Sequence, residues 1–136
     1  MLIDLHAHSS ASDGTDSPAD LVAAAASAGL DIVALTDHDT FSGWDDALSA
    51  AEGTVVRVLP GVEMSCALDG ISLHVLGYLP DPTYGPLVDE LARTRGDRIP
   101  RGSYLKRSMS RFRLHLNRKS WREAENMLRS NGRSSG

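Results

Sequence analysis

Asp31-Ile32-Val33-Ala34-Leu35-Thr36 runs directly into Asp37-His38-Asp39-Thr40-Phe41. The first six residues form a β-branched apolar run, which predicts a strand, and the polar residues that follow predict a loop at its C-terminal end. Ser42 then offers an N-cap with Asp45 three residues on. Trp44, Ala47, Leu48 and Ala51 fall at helical spacing, and Gly53 supplies a stop. One strand, one polar loop and one helix are thus encoded in sequence.

The same unit precedes it. Leu2-Ile3-Asp4-Leu5 reads as a buried strand ending in a polar loop, His6 to Asp16. Ser17-Pro18-Ala19-Asp20 opens a helix with an N-cap, a proline at the first helical position and an acid at the positive dipole end. Leu21, Ala24, Ala25 and Ala28 continue it to Gly29. Downstream, a third strand is expected within Val55 to Met64 and a fourth in Ile71 to Leu79, joined by a turn around Asp69-Gly70. Leu87, Val88, Leu91 and Ala92 mark a third helix running toward Arg95. Strands alternating with helices predict an α/β protein with a parallel sheet or barrel, whose functional groups gather at the C-terminal strand ends.

Composition narrows the class. The 136 residues suit one domain, with 41% apolar and 24% charged residues. The longest apolar run, Leu21 to Ala26, is far below the roughly 20 residues of a membrane span, so no membrane partner is expected. Asp4 near the start and the lack of a basic region followed by an apolar one argue against a secretory signal. The single cysteine, Cys66, fits a reducing cytoplasm and reads as a small packing residue rather than a nucleophile. Charge is unevenly divided: residues 1–100 carry sixteen acidic and four basic side chains, a net −12, while residues 101–136 carry two and ten, a net +8. That asymmetry predicts an acidic body with a basic extension.

Three of the four histidines in residues 1–100 lie where an α/β site is built. His6 and His8 stand at i and i+2 after the first strand, on the same side of an extended segment, so both can face one cation. Asp13 shares their loop. His38 sits between Asp37 and Asp39 after the second strand, Glu63 lies near the end of the third, and His74 lies inside the fourth. A charge such as Glu63 at the end of a buried strand needs a partner, and a metal supplies one.

His6-x-His8, Ser12-Asp13-Gly14-Thr15, Thr36-Asp37-His38-Asp39, Gly61-Val62-Glu63 and His74 together resemble the N-terminal half of the PHP family, named for polymerase and histidinol phosphatase. The resemblance covers about residues 1–100. It implies part of a seven-stranded α/β barrel, about four strands alternating with helices, holding two or three divalent cations. It also implies metal-dependent hydrolysis of a phosphorylated small molecule or nucleotide, by a water that the metals acidify and bridge. On this pattern His6, His8 and Glu63 would bind one metal, Glu63 would bridge to a second held by His74, and Asp13 and His38 would serve a third. Asp37 and Asp39 would take supporting roles. Histidine and carboxylate ligands suit manganese, zinc and iron alike.

A seven-stranded barrel needs about 25 or more residues per strand–helix unit, which exceeds this chain. The family's later histidines and Asp-x-His pair are absent, since residues 101–136 hold only His115 and no aspartate. This leaves a second reading: a truncated, non-catalytic PHP fragment that binds metal weakly or needs a partner chain. Four strands would leave an open sheet edge, which a homo-oligomer can cover. Residues 101–136 read as a basic helical extension, with Leu105, Met109, Phe112 and Leu116 at helical spacing and a capping box at Ser120-Trp121-Arg122-Glu123. Its end, Asn131 to Gly136, reads as disordered and His115 as a surface residue. A third reading makes this extension a nucleic-acid-binding module.

Overall fold

A computed structural model describes residues 1–68 and 71–97. The order is β1 (Ile3–Ala7), α1 (Pro18–Ser27), β2 (Ile32–Leu35), α2 (Trp44–Ala51), β3 (Arg57–Leu68), β4 (Ile71–Tyr78) and α3 (Gly85–Asp97). The strands form one curled sheet in the order β1-β2-β3-β4. β1–β2 and β2–β3 are parallel, as strand–helix–strand units require, and β3–β4 is an antiparallel pair without a helix between. This is the α/β half-barrel the sequence predicts, with the strict strand–helix alternation ending at β3.

The core explains the sheet order. β2 is the central strand, and all four of its residues are buried. Val22 of α1 and Trp44 and Ala47 of α2 pack with Leu35, while Ala25 packs with Val33 and Val56. A second layer forms under β3, where Leu91 of α3 packs on Val62 and Met64. Small alanines let the helices approach the sheet closely, and burying these apolar faces is the main favourable term in folding.

Two expectations change. β1 is expected to be buried but, among the described residues, is an edge strand with a neighbour on one side only and with Ile3 48% and Leu5 44% exposed. α2 begins after Gly43 rather than Ser42, without a side-chain cap; the Ser42 hydroxyl oxygen instead accepts from Thr40 Oγ1 at 3.1 Å. α1 matches its sequence signature: Ser17 Oγ accepts the Asp20 amide at 3.1 Å, and Gly29 follows the helix with φ 76°. The expected turn at Asp69-Gly70, the basic extension and His115 lie outside the described residues.

Candidate metal centre

Three strand ends converge on Glu63. Beyond Leu35 the β2 chain keeps its parallel course beside β3, so that the Glu63 amide donates to the Asp37 carbonyl at 3.2 Å and the Asp39 amide to the Glu63 carbonyl at 3.0 Å. This ladder sets His38 against Glu63. On the other side, antiparallel pairing places His74 opposite Ser65, and its Nδ1 lies 2.6 Å from Glu63 Oε1. β1 contributes through a bulge, since its register with β2 slips by one residue between Asp4 and Ala7, directly before His8. His6 Nε2 then reaches Glu63 Oε2 at 2.6 Å and His8 Nε2 reaches the same oxygen at 2.9 Å.

Asp13 closes the arrangement from the loop. Its Oδ1 stands 2.9 Å from His8 Nδ1 and its Oδ2 3.6 Å from His38 Nε2. The four imidazoles form a row, with ring centroids 5.0 Å apart for His6–His8, 4.7 Å for His8–His38 and 4.8 Å for His38–His74. The Glu63 side chain is only 4% exposed. Burial alone raises its pKa, but the hydrogen bond from His6 and the charges of His38, His6 and His74 outweigh that, and the net shift is downward. Asp13 follows the same logic: burial pushes up, the charges of His38 and His8 and hydrogen bonds from Ser12 and His8 pull down, and the carboxyl ends below its ordinary value.

Histidine nitrogens and carboxylate oxygens from these residues form three overlapping groups whose donor atoms lie within 4.8 Å of one another: His6, His8 and Glu63; His8, Asp13 and His38; His38, Glu63 and His74. Imidazole and carboxylate are the usual ligands of borderline divalent ions, so the donor set fits a metal cluster.

The family model described as PHP domain matches residues 4–133. The chain belongs to the PHP-domain family. A 5'-3' exoribonuclease of Haemophilus influenzae is 43% identical over 81 residues, 60% of this chain and 30% of its own length. A 3',5'-nucleoside bisphosphate phosphatase of Chromobacterium violaceum is 35% identical over 107 residues, 79% of this chain and 38% of its own length. A solved structure from Bifidobacterium adolescentis, assigned as a metal-dependent phosphoesterase, superposes with a TM-score of 0.68 at 38% identity, covering 71% of this chain and 34% of that one. This PHP chain therefore spans 30–38% of the length of these relatives. The matched range runs past residue 100 into the basic stretch.

Within the PHP chain, all six expected ligand residues come together, and the groups interlock more than the sequence suggested. His8 joins Asp13 and His38, and His38 joins Glu63 and His74. Asp37 and Asp39 stand apart from these groups and hold backbone. The buried Asp37 carboxylate accepts the Ser9 amide at 2.8 Å, the Ser9 hydroxyl at 2.7 Å and the Ser12 hydroxyl at 2.6 Å. It therefore ties the loop carrying His8 and Asp13 to the end of β2. Asp39 Oδ1 accepts the Ser65 amide at 2.8 Å and fixes the opposite side to β3.

Sequence reasoning missed the two serine partners of Asp37. Their only signal was three serines in the loop before Asp13, of which Ser9 and Ser12 meet an acid 28 and 25 positions on. Cys66 packs beside Met64 and lies outside the three groups. Burial, then the carboxylates of Asp39 and Glu90, push its thiol above the ordinary range, which disfavours the nucleophilic thiolate.

Proposed function

We propose that this chain forms a divalent-metal centre of a PHP phosphoesterase, hydrolysing a phosphate ester on a small molecule or nucleotide. The observation that carries this reading is Glu63, a buried carboxylate shared by two of three overlapping ligand groups. Isolated core histidines do not need such an arrangement. The relatives' names point the same way, one a nucleoside bisphosphate phosphatase and another an exoribonuclease.

In this reading His6, His8 and Glu63 would hold one ion, Glu63 and His74 a second, and Asp13 and His38 a third. Divalent ions bound there supply positive charge to phosphate oxygens and acidify water for attack at phosphorus. The residues of the chain do the rest. Asp13, with its side chain 61% exposed, stands on the solvent side, where a phosphate ester would enter. Asp37 holds the loop beneath it, keeping His8 and Asp13 in place before any ion arrives. Among the described residues no helix is long and apolar enough to cross a membrane. With a single cysteine, the chain fits the cytoplasm.

The test is metal content by elemental analysis of wild type and of a His6→Ala/His8→Ala variant, followed by phosphate release from p-nitrophenyl phosphate and from a nucleoside 3',5'-bisphosphate. The expected result is two or more equivalents of a transition metal in wild type, reduced in the variant, and release that stops on chelation. Metal content below roughly a tenth of an equivalent after supplementation overturns the reading. Metal retained without phosphate release assigns the chain the other role, a metal-binding part whose turnover depends on groups elsewhere. Its coverage of 30–38% of its relatives favours testing that outcome directly.

A further inference from the structure

Arg95 lies in the last turn of α3, one turn beyond Leu91, which anchors the helix on Val62 and Met64 at either side of Glu63. Its Nη1 donates to Thr40 Oγ1 at 3.0 Å. Thr40 is 4% exposed and stands two residues past His38. Its hydroxyl also accepts the Ser42 amide at 3.2 Å and donates to Ser42 Oγ at 3.1 Å, so all its hydrogen-bonding capacity is used. Asp39, between His38 and Thr40, has φ 52°, a left-handed conformation uncommon for non-glycine residues, which aspartate adopts more readily than most and which its surroundings hold here. Enforcement comes from two directions. Asp39 is pinned to β3 through the Ser65 amide and the Glu63 carbonyl, and Thr40 is pinned to α3 through Arg95.

We infer that Arg95 is a positioning residue for the candidate metal centre, holding the strained Asp39 turn so that His38 faces its two ligand groups. The inference rests on the metal-binding reading above. Its neighbour Arg93 is engaged with Glu90 on the same helix and does not duplicate the contact. The guanidinium reaches Thr40 from an element that carries none of the six candidate ligands, so its loss removes no ligand. It frees the His38 segment on one side only. The ligand groups containing His38 should therefore weaken while the group of His6, His8 and Glu63 persists.

The experiment is a Zn(II) titration of the full chain, comparing wild type with Arg95→Ala, Arg95→Lys, Thr40→Val and the Arg95→Ala/Thr40→Val pair. Amide exchange at Asp39 is followed in the metal-free proteins, and circular dichroism checks folding. Removing such a supporting contact costs about 10–100-fold in metal affinity, and this loss is expected for the sites that include His38 alone. Asp39 amide exchange should quicken, Arg95→Lys should recover part of both effects, and the double variant should add little to Thr40→Val. Wild-type affinity and exchange in folded Arg95→Ala overturn the inference and leave the metal reading standing. Equal weakening of every site also overturns it. Failure of wild type itself to bind Zn(II) overturns the metal reading, and this inference with it. An unfolded Arg95→Ala shifts the decision to Thr40→Val, which removes that contact, together with the two Ser42 contacts of the same hydroxyl, without removing charge.

Discussion

Gly14→Ala isolates the link between loop geometry and metal binding. A Cβ at Gly14 would lie 2.3 Å from the His8 carbonyl oxygen, 2.6 Å from its carbon and 2.8 Å from the Ser9 carbonyl carbon. All three are backbone atoms, so no flexible side chain can swing away. Real Cβ contacts stay beyond 3.0 Å, so the loop must open by about 0.7 Å. Metal–ligand distances tolerate about 0.2 Å, and the opening acts on His8 itself and on Asp13, the residue before Gly14. Forcing a methyl into a packed site costs about 1–3 kcal/mol, and each kcal/mol moves the midpoint of a domain this size by about 4 °C. The expected result is a melting temperature lower by about 4–12 °C and weakened binding at both groups that contain His8, with the group of His38, Glu63 and His74 retained. Calorimetric Mn(II) titration and thermal melts measure both. Gly85→Ala is the control, because nothing lies within 4 Å of its Cβ position. A Gly14→Ala protein with wild-type melting and wild-type metal content would refute the reasoning.

Asp37→Ala removes the acceptor of three hydrogen bonds and leaves the buried Ser9 amide without its partner; hydrogen bonds to charged groups contribute about 1.5–3 kcal/mol each, so urea unfolding should show a loss of about 3 kcal/mol or more. Chelation should lower the melting temperature, and returning metal at about 100 times its Kd should restore about 2.7 kcal/mol, read from melts at several metal concentrations. The pH dependence of the metal-free protein follows from Glu63. Because its folded pKa lies below the ordinary 4.5, its stabilising contribution is fully present above that value and drains away as pH falls through the lower folded value. Stability should thus fall with acidification below about pH 4.5, and Glu63→Gln should flatten that limb; an unchanged acid limb in the variant would place the shift elsewhere.

What the sequence revealed was whatever is set locally or by periodicity. Ser17-Pro18 announced α1, the apolar run Ile32–Leu35 announced the central strand, and the rule that α/β sites form at strand ends picked out His6, His8, His38 and Glu63. What stayed hidden depends on partners distant in sequence. Burial of β1 was expected from its own apolar residues, yet burial is decided by neighbouring strands, and β1 has one. Ser42 had the composition of an N-cap, but its hydroxyl oxygen is engaged by Thr40 and the helix starts after Gly43. The serine clasp on Asp37 and the reach of Arg95 to Thr40 leave no period or spacing in the chain, because each joins residues 25–55 positions apart through one contact.

The same geometry decides how metal binding and folding are coupled here. A structural zinc site that folds only with its ion has little else to hold it together. This chain has an apolar core of its own, in which Val22, Leu35, Trp44 and Ala47 pack without any contribution from the ligand groups. The ligands, too, have partners before an ion arrives: Glu63 engages three imidazoles, and Asp13 engages His8. An incoming cation must displace those contacts and any protons that support them, so its net contribution is smaller than the bare coordination energy and grows as pH rises. Chelation therefore lowers the melting temperature of a protein that remains folded. The half-barrel supplies the frame, and under the proposed function a metal would act on a site the fold has already gathered.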